Sequence, residues 1–223
     1  MSLTAWCPRC RVDPATAVDE GDCPQHGARP PLWLPDEVSY EDFAEHLRLA
    51  GDFPTYLPWP LGPGWSVTEF GVVTRPTGTT GPTGTGQDRG RGVATLTCSS
   101  GTSALDGPVD VFVVSEEAGV GLGARCAGLL HDDPGADIGD GPPTVKVRVG
   151  SQSVALWPVS TSHSFPELDR SVFAGEAQGR WLWIVLRPAS AMLLLRDDWI
   201  LRDVSGAGPQ LLEVPFGGQR PVW

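Results

Sequence analysis

Two short segments near the start of the chain carry the residue types for metal chemistry. Cys7-Pro-Arg-Cys10 is followed, after twelve residues, by Cys23-Pro-Gln-His26-Gly27. Zinc takes four soft or borderline donors at the corners of a tetrahedron, and paired knuckles supply them when their turns leave backbone amides pointing at the thiolates. Cys7, Cys10, Cys23 and His26 are therefore the expected ligands. Four protein donors fill a tetrahedron and leave no place for water, so the expected zinc is structural rather than catalytic. Residues 1–29 offer few larger apolar side chains, chiefly Leu3, Trp6, Val12 and Val18. That is too little for a core, and metal ligation must order the segment instead.

Other constellations carry less. In Gly119-Val120-Gly121-Leu122-Gly123-Ala124-Arg125 the alternate glycines allow close backbone approach, and exposed amides beside Arg125 could hold an anionic group. The spacing matches neither a dinucleotide fingerprint nor a phosphate-binding loop, and Glu116 and Glu117 would repel phosphate, so a structural turn or strand crossing is expected. Gly119, Gly121, Gly123 and Arg125 stand as the candidate anion-binding residues. Cys98 lies in a strand pattern and is expected to be a buried thiol. Cys126 follows Arg125, which could lower its pKa, but no partner residue is assignable. His131-Asp132-Asp133, with Asp137 and Asp140, lacks the ligand ladder of a calcium loop and is expected to be a solvated acidic loop. His46 and His163 have no triad context, and no catalytic residue is assigned.

Charge narrows the partners. The net charge is −11, with one lysine, Lys146, against fifteen arginines. Residues 1–29 carry Arg9, Arg11 and Arg29 against Asp13, Asp19, Glu20 and Asp22. Affinity for nucleic acid comes largely from cations that neutralise phosphates, so nucleic acid is not an expected partner. The opening MSLTAWCPRC has neither a basic nor an apolar signal region, and the apolar stretch at 181–195 is broken by Arg187 and Pro188. No membrane association is expected. A cytoplasmic setting, where clustered thiols stay reduced, follows from the same reading.

The elements that must position these residues fall into three regions of a 223-residue chain. Residues 1–29 form the zinc ribbon. Residues 30–64 form a Pro-rich connector with a helix near 40–50, in which Ser39 is the N-cap, Phe43, Ala44, Leu47 and Ala50 share a face, and Gly51 and Pro54 end the run. The aromatic and Pro-rich stretch from Tyr56 to Trp65 is expected to strap onto the body. Residues 65–223 form a β-rich domain with strands expected at 65–74, 93–98, 109–116, 144–149, 153–157, 171–175, 180–187, 191–196 and 199–204. Trp181–Leu186 is apolar on both alternating faces and reads as a central strand. The Gly-, Thr- and Pro-rich residues 75–92 are expected to form a disordered loop. The fold class is then α+β: a mainly antiparallel β body with one or two short helices, preceded by a small zinc ribbon.

The stretches CPRC, CPQHG, LPWPLGPGW, SEEAGVGLGARCAGL, DGPPTVKV and DRSVFAGEAQGRWLWIVLRPASAMLLLRDD resemble an uncharacterised actinobacterial domain-of-unknown-function family with an N-terminal zinc ribbon and a β-rich body. Some members of that family carry the label phosphotransacetylase. The label implies acyl transfer between phosphate and coenzyme A on a longer α/β chain, features that this sequence lacks. Two functions are carried forward. One is a zinc-ribbon interaction or regulatory module whose β-rich domain binds a protein or small ligand. The alternative is an acyl- or phosphoryl-transfer enzyme using Gly119–Arg125 as an anion site.

Overall fold

A computed structural model describes residues 3–10, 22–76, 90–161, 169–195, 199–207 and 213–223. The strands are β1 (Leu3–Trp6), β2 (Asp22–Cys23), β3 (Gly27–Ala28), β4 (Leu32–Pro35), β5 (Tyr56–Pro58), β6 (Ser66–Arg75), β7 (Arg91–Ser103), β8 (Gly107–Glu116), β9 (Val145–Val149), β10 (Gln152–Pro158), β11 (Ser171–Ala177), β12 (Arg180–Arg187) and β13 (Ile200–Asp203). The α-helices are α1 (Tyr40–Ala50) and α2 (Leu122–Ala127). Eleven of these strands form one sheet in the order β1-β4-β6-β7-β8-β12-β11-β10-β9-β13-β5, antiparallel except where β13 meets β9, while β2 and β3 pair separately. The mainly antiparallel β body with short helices is what the strand and turn pattern required. No helix among the described residues is long and apolar enough to cross a membrane.

Alternation along the central strands sorts side chains onto two faces. Leu96 and Cys98, Phe112 and Val114, and Trp183 and Val185 point to one face, where Leu122, Ala124 and Cys126 of α2 and Trp223 cover them. Val111, Val113, Leu182, Ile184 and Leu186 point to the other, against Phe173, Leu156 and Leu201. β12 is thus a central strand covered on both sides, held between β8 and β11. The aromatic strap also packs as expected: Tyr56 is buried and Arg202 stacks on Trp59, while β5 is the last strand of the sheet. Thr95 and Thr97 donate their hydroxyls to the carbonyls of Pro54 and Tyr56, which ties the strap across β7.

Ser39 caps α1 by accepting from the Asp42 amide at 3.1 Å, and the Gly51 amide closes the other end on Leu47. The buried stripe differs from the expected one. Ala44 faces solvent, and His46 takes its place beside Phe43 and Ala50. The imidazole stacks on Phe43 and meets Phe70 edge-on, with Nε2 3.2 Å from Thr55 Oγ1. Burial pushes its pKa down to about 3, so a neutral ring packs there as an aromatic.

Three expectations need correction or fall outside view. The stretch expected as a strand at 191–196 contains instead the end of a 3-10 helix spanning Ala189–Leu194, because both hydrogen-bonding edges of β12 are already taken. A short strand, β4, lies inside the Pro-rich connector and joins β1 to the body sheet. The loop expected at 75–92 falls largely on 77–89, outside the described residues, as does His163.

A candidate metal centre docked onto the sheet

β1 delivers Cys7 and Cys10, and the tight β2–β3 hairpin delivers Cys23 and His26. The four donor atoms lie within 4.8 Å of one another, forming a cluster that can hold a metal ion. Cys7 Sγ is 3.8 Å from His26 Nδ1, Cys23 Sγ is 3.6 Å from the same nitrogen, and Cys10 and Cys23 sulfurs are 3.4 Å apart. A tetrahedron with metal–sulfur and metal–nitrogen bonds of zinc length has edges of about 3.6–3.8 Å, so the spacing fits a common central ion. None of the cysteines is in a disulfide. The Arg9 amide points at Cys7 Sγ from 3.4 Å, which is the knuckle geometry that stabilises a thiolate. At Cys23, burial raises the thiol pKa, but hydrogen bonds from the Gln25 backbone, the His26 and Cys10 side chains and the His26 backbone outweigh it and bring the value down to about 6.

Arg9, between the first two cysteines, fastens this cluster to the body. Its side chain is 5% exposed and its guanidinium is satisfied by four acceptors. Nε pairs with Asp132 at 2.8 Å, Nη1 donates to the Gly121 carbonyl at 3.1 Å, and Nη2 donates to the carbonyls of Leu129 and Leu130. Arg29 reaches the other Asp132 oxygen at 3.1 Å. From the opposite direction Arg125 donates to the Cys7 carbonyl at 2.7 Å and stacks its guanidinium 4.2 Å from the Trp223 ring. Asp132 is therefore an ion-paired anchor, not part of a merely solvated loop. Nothing in its local sequence distinguishes it, because its partners lie over a hundred residues away.

The Gly119–Arg125 segment forms the receiving surface. Gly121 has φ 81° and caps α2, and a Cβ there would stand 2.4 Å from Arg9 Cδ, so close approach and backbone conformation both require glycine. Gly123 lies against the Trp183 indole in the same way. The amides of Leu122 and Gly123 donate to the Glu116 carboxyl at 2.7 and 3.2 Å, and the Gly119 amide donates to Asp133 at 2.8 Å. Three amides that an anion cradle would use are thus already satisfied by the chain's own carboxyl groups. Arg125 is held by the Cys7 carbonyl and the Trp223 ring. Glu117 instead pairs with Arg75 and Arg91.

The remaining cysteines are interior. Burial pushes the thiol of Cys98 up, and that of Cys126 up to about 12 despite the adjacent Arg125. Sequence reasoning also passed over a cavity of about 590 Å³ lined by Trp6, Leu34, Glu69, Arg125, Arg220 and Trp223. Arg220 grips the buried Glu69 there through two nitrogens. Arg220 and Glu69 stand 151 residues apart, which is why no spacing rule could join them. No curated protein and no solved structure matches the chain. A family model described as "Family of unknown function (DUF6758)" matches residues 1–222, and the chain belongs to that family.

Proposed function

We propose that Cys7, Cys10, Cys23 and His26 bind one structural zinc ion, and that the protein is a cytoplasmic interaction or regulatory module whose β-rich domain binds a protein or small ligand. The donor set carries the metal assignment. Three sulfurs and one imidazole nitrogen within 4.8 Å of one another suit zinc, and four protein donors give a closed site. Zinc bound there would hold the knuckle turn rigid and so fix Arg9. Arg125 links the cluster to the cavity, since one guanidinium bonds the Cys7 carbonyl and lines the cavity beside Trp223. That contact supports the cavity as the ligand or partner site, with its wall depending on the order of the knuckle. The net charge of −11, with a single lysine, supports a partner other than nucleic acid. Native mass spectrometry of the reduced protein is expected to find one zinc per chain and none in Cys10→Ser. A reduced wild-type protein without bound metal would overturn the assignment.

A further inference from the structure

The C-terminal segment changes its mode of attachment at a pair of glycines. Up to that point the backbone holds it: the Val67 amide donates to the Pro215 carbonyl at 2.8 Å, the Gly217 amide donates to the Val67 carbonyl at 3.0 Å, and Ser66 Oγ donates to the Gly217 carbonyl. Gly217 and Gly218 then take φ 99° and 118°, which side-chain-bearing residues rarely adopt. From Gly218 to Trp223 no backbone group makes a hydrogen bond among the described residues. Side chains alone fasten this stretch. Arg220 clasps the Glu69 carboxylate, with Nε 3.1 Å from one oxygen and Nη2 2.8 Å from both, and its Nη1 donates to the Asp36 carbonyl. Trp223, 8% exposed, packs between the Arg125 guanidinium and Phe112. Both residues line the cavity of about 590 Å³, whose other walls include Trp6, Leu34 and Pro35.

The surface under the tail is built into the body. Glu69 stands on β6 with its side chain 4% exposed, and Arg220 makes the one ion pair to it among the described residues. A carboxylate at that depth is unfavourable without a cation. The tail thus fills two subsites three residues apart, one for a guanidinium and one for an aromatic ring, and Pro221 stiffens the link between them. We propose that residues 218–223 are an autoinhibitory segment, seated on an interaction surface for an extended peptide that carries arginine and, three positions on, an aromatic residue. This rests on the reading of the cavity as a partner site. The glycine pair is the hinge on which the tail leaves, and tethering gives the tail a high effective concentration that holds off weak competitors.

A fluorescein-labelled peptide of sequence Gly-Gln-Arg-Pro-Val-Trp, titrated with the full chain and followed by fluorescence anisotropy, tests this. The double variant Arg220→Ala/Trp223→Ala, whose own tail no longer competes, should bind it about tenfold or more tightly than wild type does. Alanine in place of the peptide's arginine or tryptophan should each weaken binding to that variant by about tenfold, and so should adding Glu69→Gln to the protein. Equal binding by wild type and variant, or undiminished binding of an alanine-substituted peptide, would overturn the proposal. No binding by the variant refutes the autoinhibitory segment alone. Binding that ignores Glu69→Gln places the peptide elsewhere and refutes the cavity as its site as well. If the double variant does not fold, Arg220→Gln decides instead: it should bind the peptide more tightly than wild type, and equal affinity sinks the idea.

Discussion

Arg9 combines two properties that a surface arginine seldom has, a fixed backbone between two cysteines and a guanidinium with four protein acceptors. Removing it takes from Asp132 its shorter ion pair and from the carbonyls of Gly121, Leu129 and Leu130 a charged donor. Arg9→Ala should therefore lower stability by roughly 3 kcal/mol, the scale for breaking a largely buried charge network. Arg9→Lys should recover little of it, because an ammonium cannot span four acceptors set around a planar fork. Urea denaturation gives the stability, and hydrogen exchange should quicken across 121–130. A variant as stable as wild type would mean that the knuckle is held elsewhere.

At the scale of elements, α2 shows what local pattern cannot carry. Its six residues are too few for a periodic signal, and so short a helix does not stand alone in water. Tertiary groups define it: the Glu116 carboxyl takes its first amides, Gly128 turns the chain at its end, and the Trp183 indole sits against Gly123. Gly121→Val should cost more than about 2 kcal/mol, since it forces a β-branched residue to a positive φ and into Arg9. Thermal denaturation near the wild-type midpoint would contradict this. Longer elements were legible because their signals are local. The Ser39 cap announced α1, and two-faced apolar alternation announced β12 as central. The strand expected at 191–196 failed because an apolar run does not say whether a sheet edge is open to receive it. The cluster of Cys7, Cys10, Cys23 and His26, which could hold a metal ion, was legible for the same reason as α1, its donors falling in two compact motifs. Asp132, Glu69 and Arg220 were not, since their meaning comes only from residues far along the chain.

For the whole molecule, Glu116 links acidity to stability. It is fully buried on the α2 side of the sheet, and burial pushes its carboxyl up to about 8, against the pull of the Leu122 and Gly123 amides and the Trp183 indole. An unfolded chain loses this proton near the ordinary 4.5, while the folded chain keeps it until about 8. The folded state therefore binds more protons between those values, and the Glu116 contribution to stability declines as pH rises through that window. Denaturation midpoints should show this decline in wild type, and Glu116→Gln should flatten it. An identical pH profile in the variant would remove Glu116 as the source.

The strand order bears on how the chain emerges during synthesis. β5 comes early, yet its strand partner β13 lies near the other end of the chain, so the hydrogen-bonding edge of Tyr56–Pro58 must wait unpaired while most of the sheet is made. A waiting apolar strand is a template for pairing with other chains. Pro54, Pro58 and Pro60 flank or end this one, and each lacks the N–H that an intruding strand would need. The prolines that made the segment unreadable as a strand thus serve as guards on the nascent chain until β13 arrives.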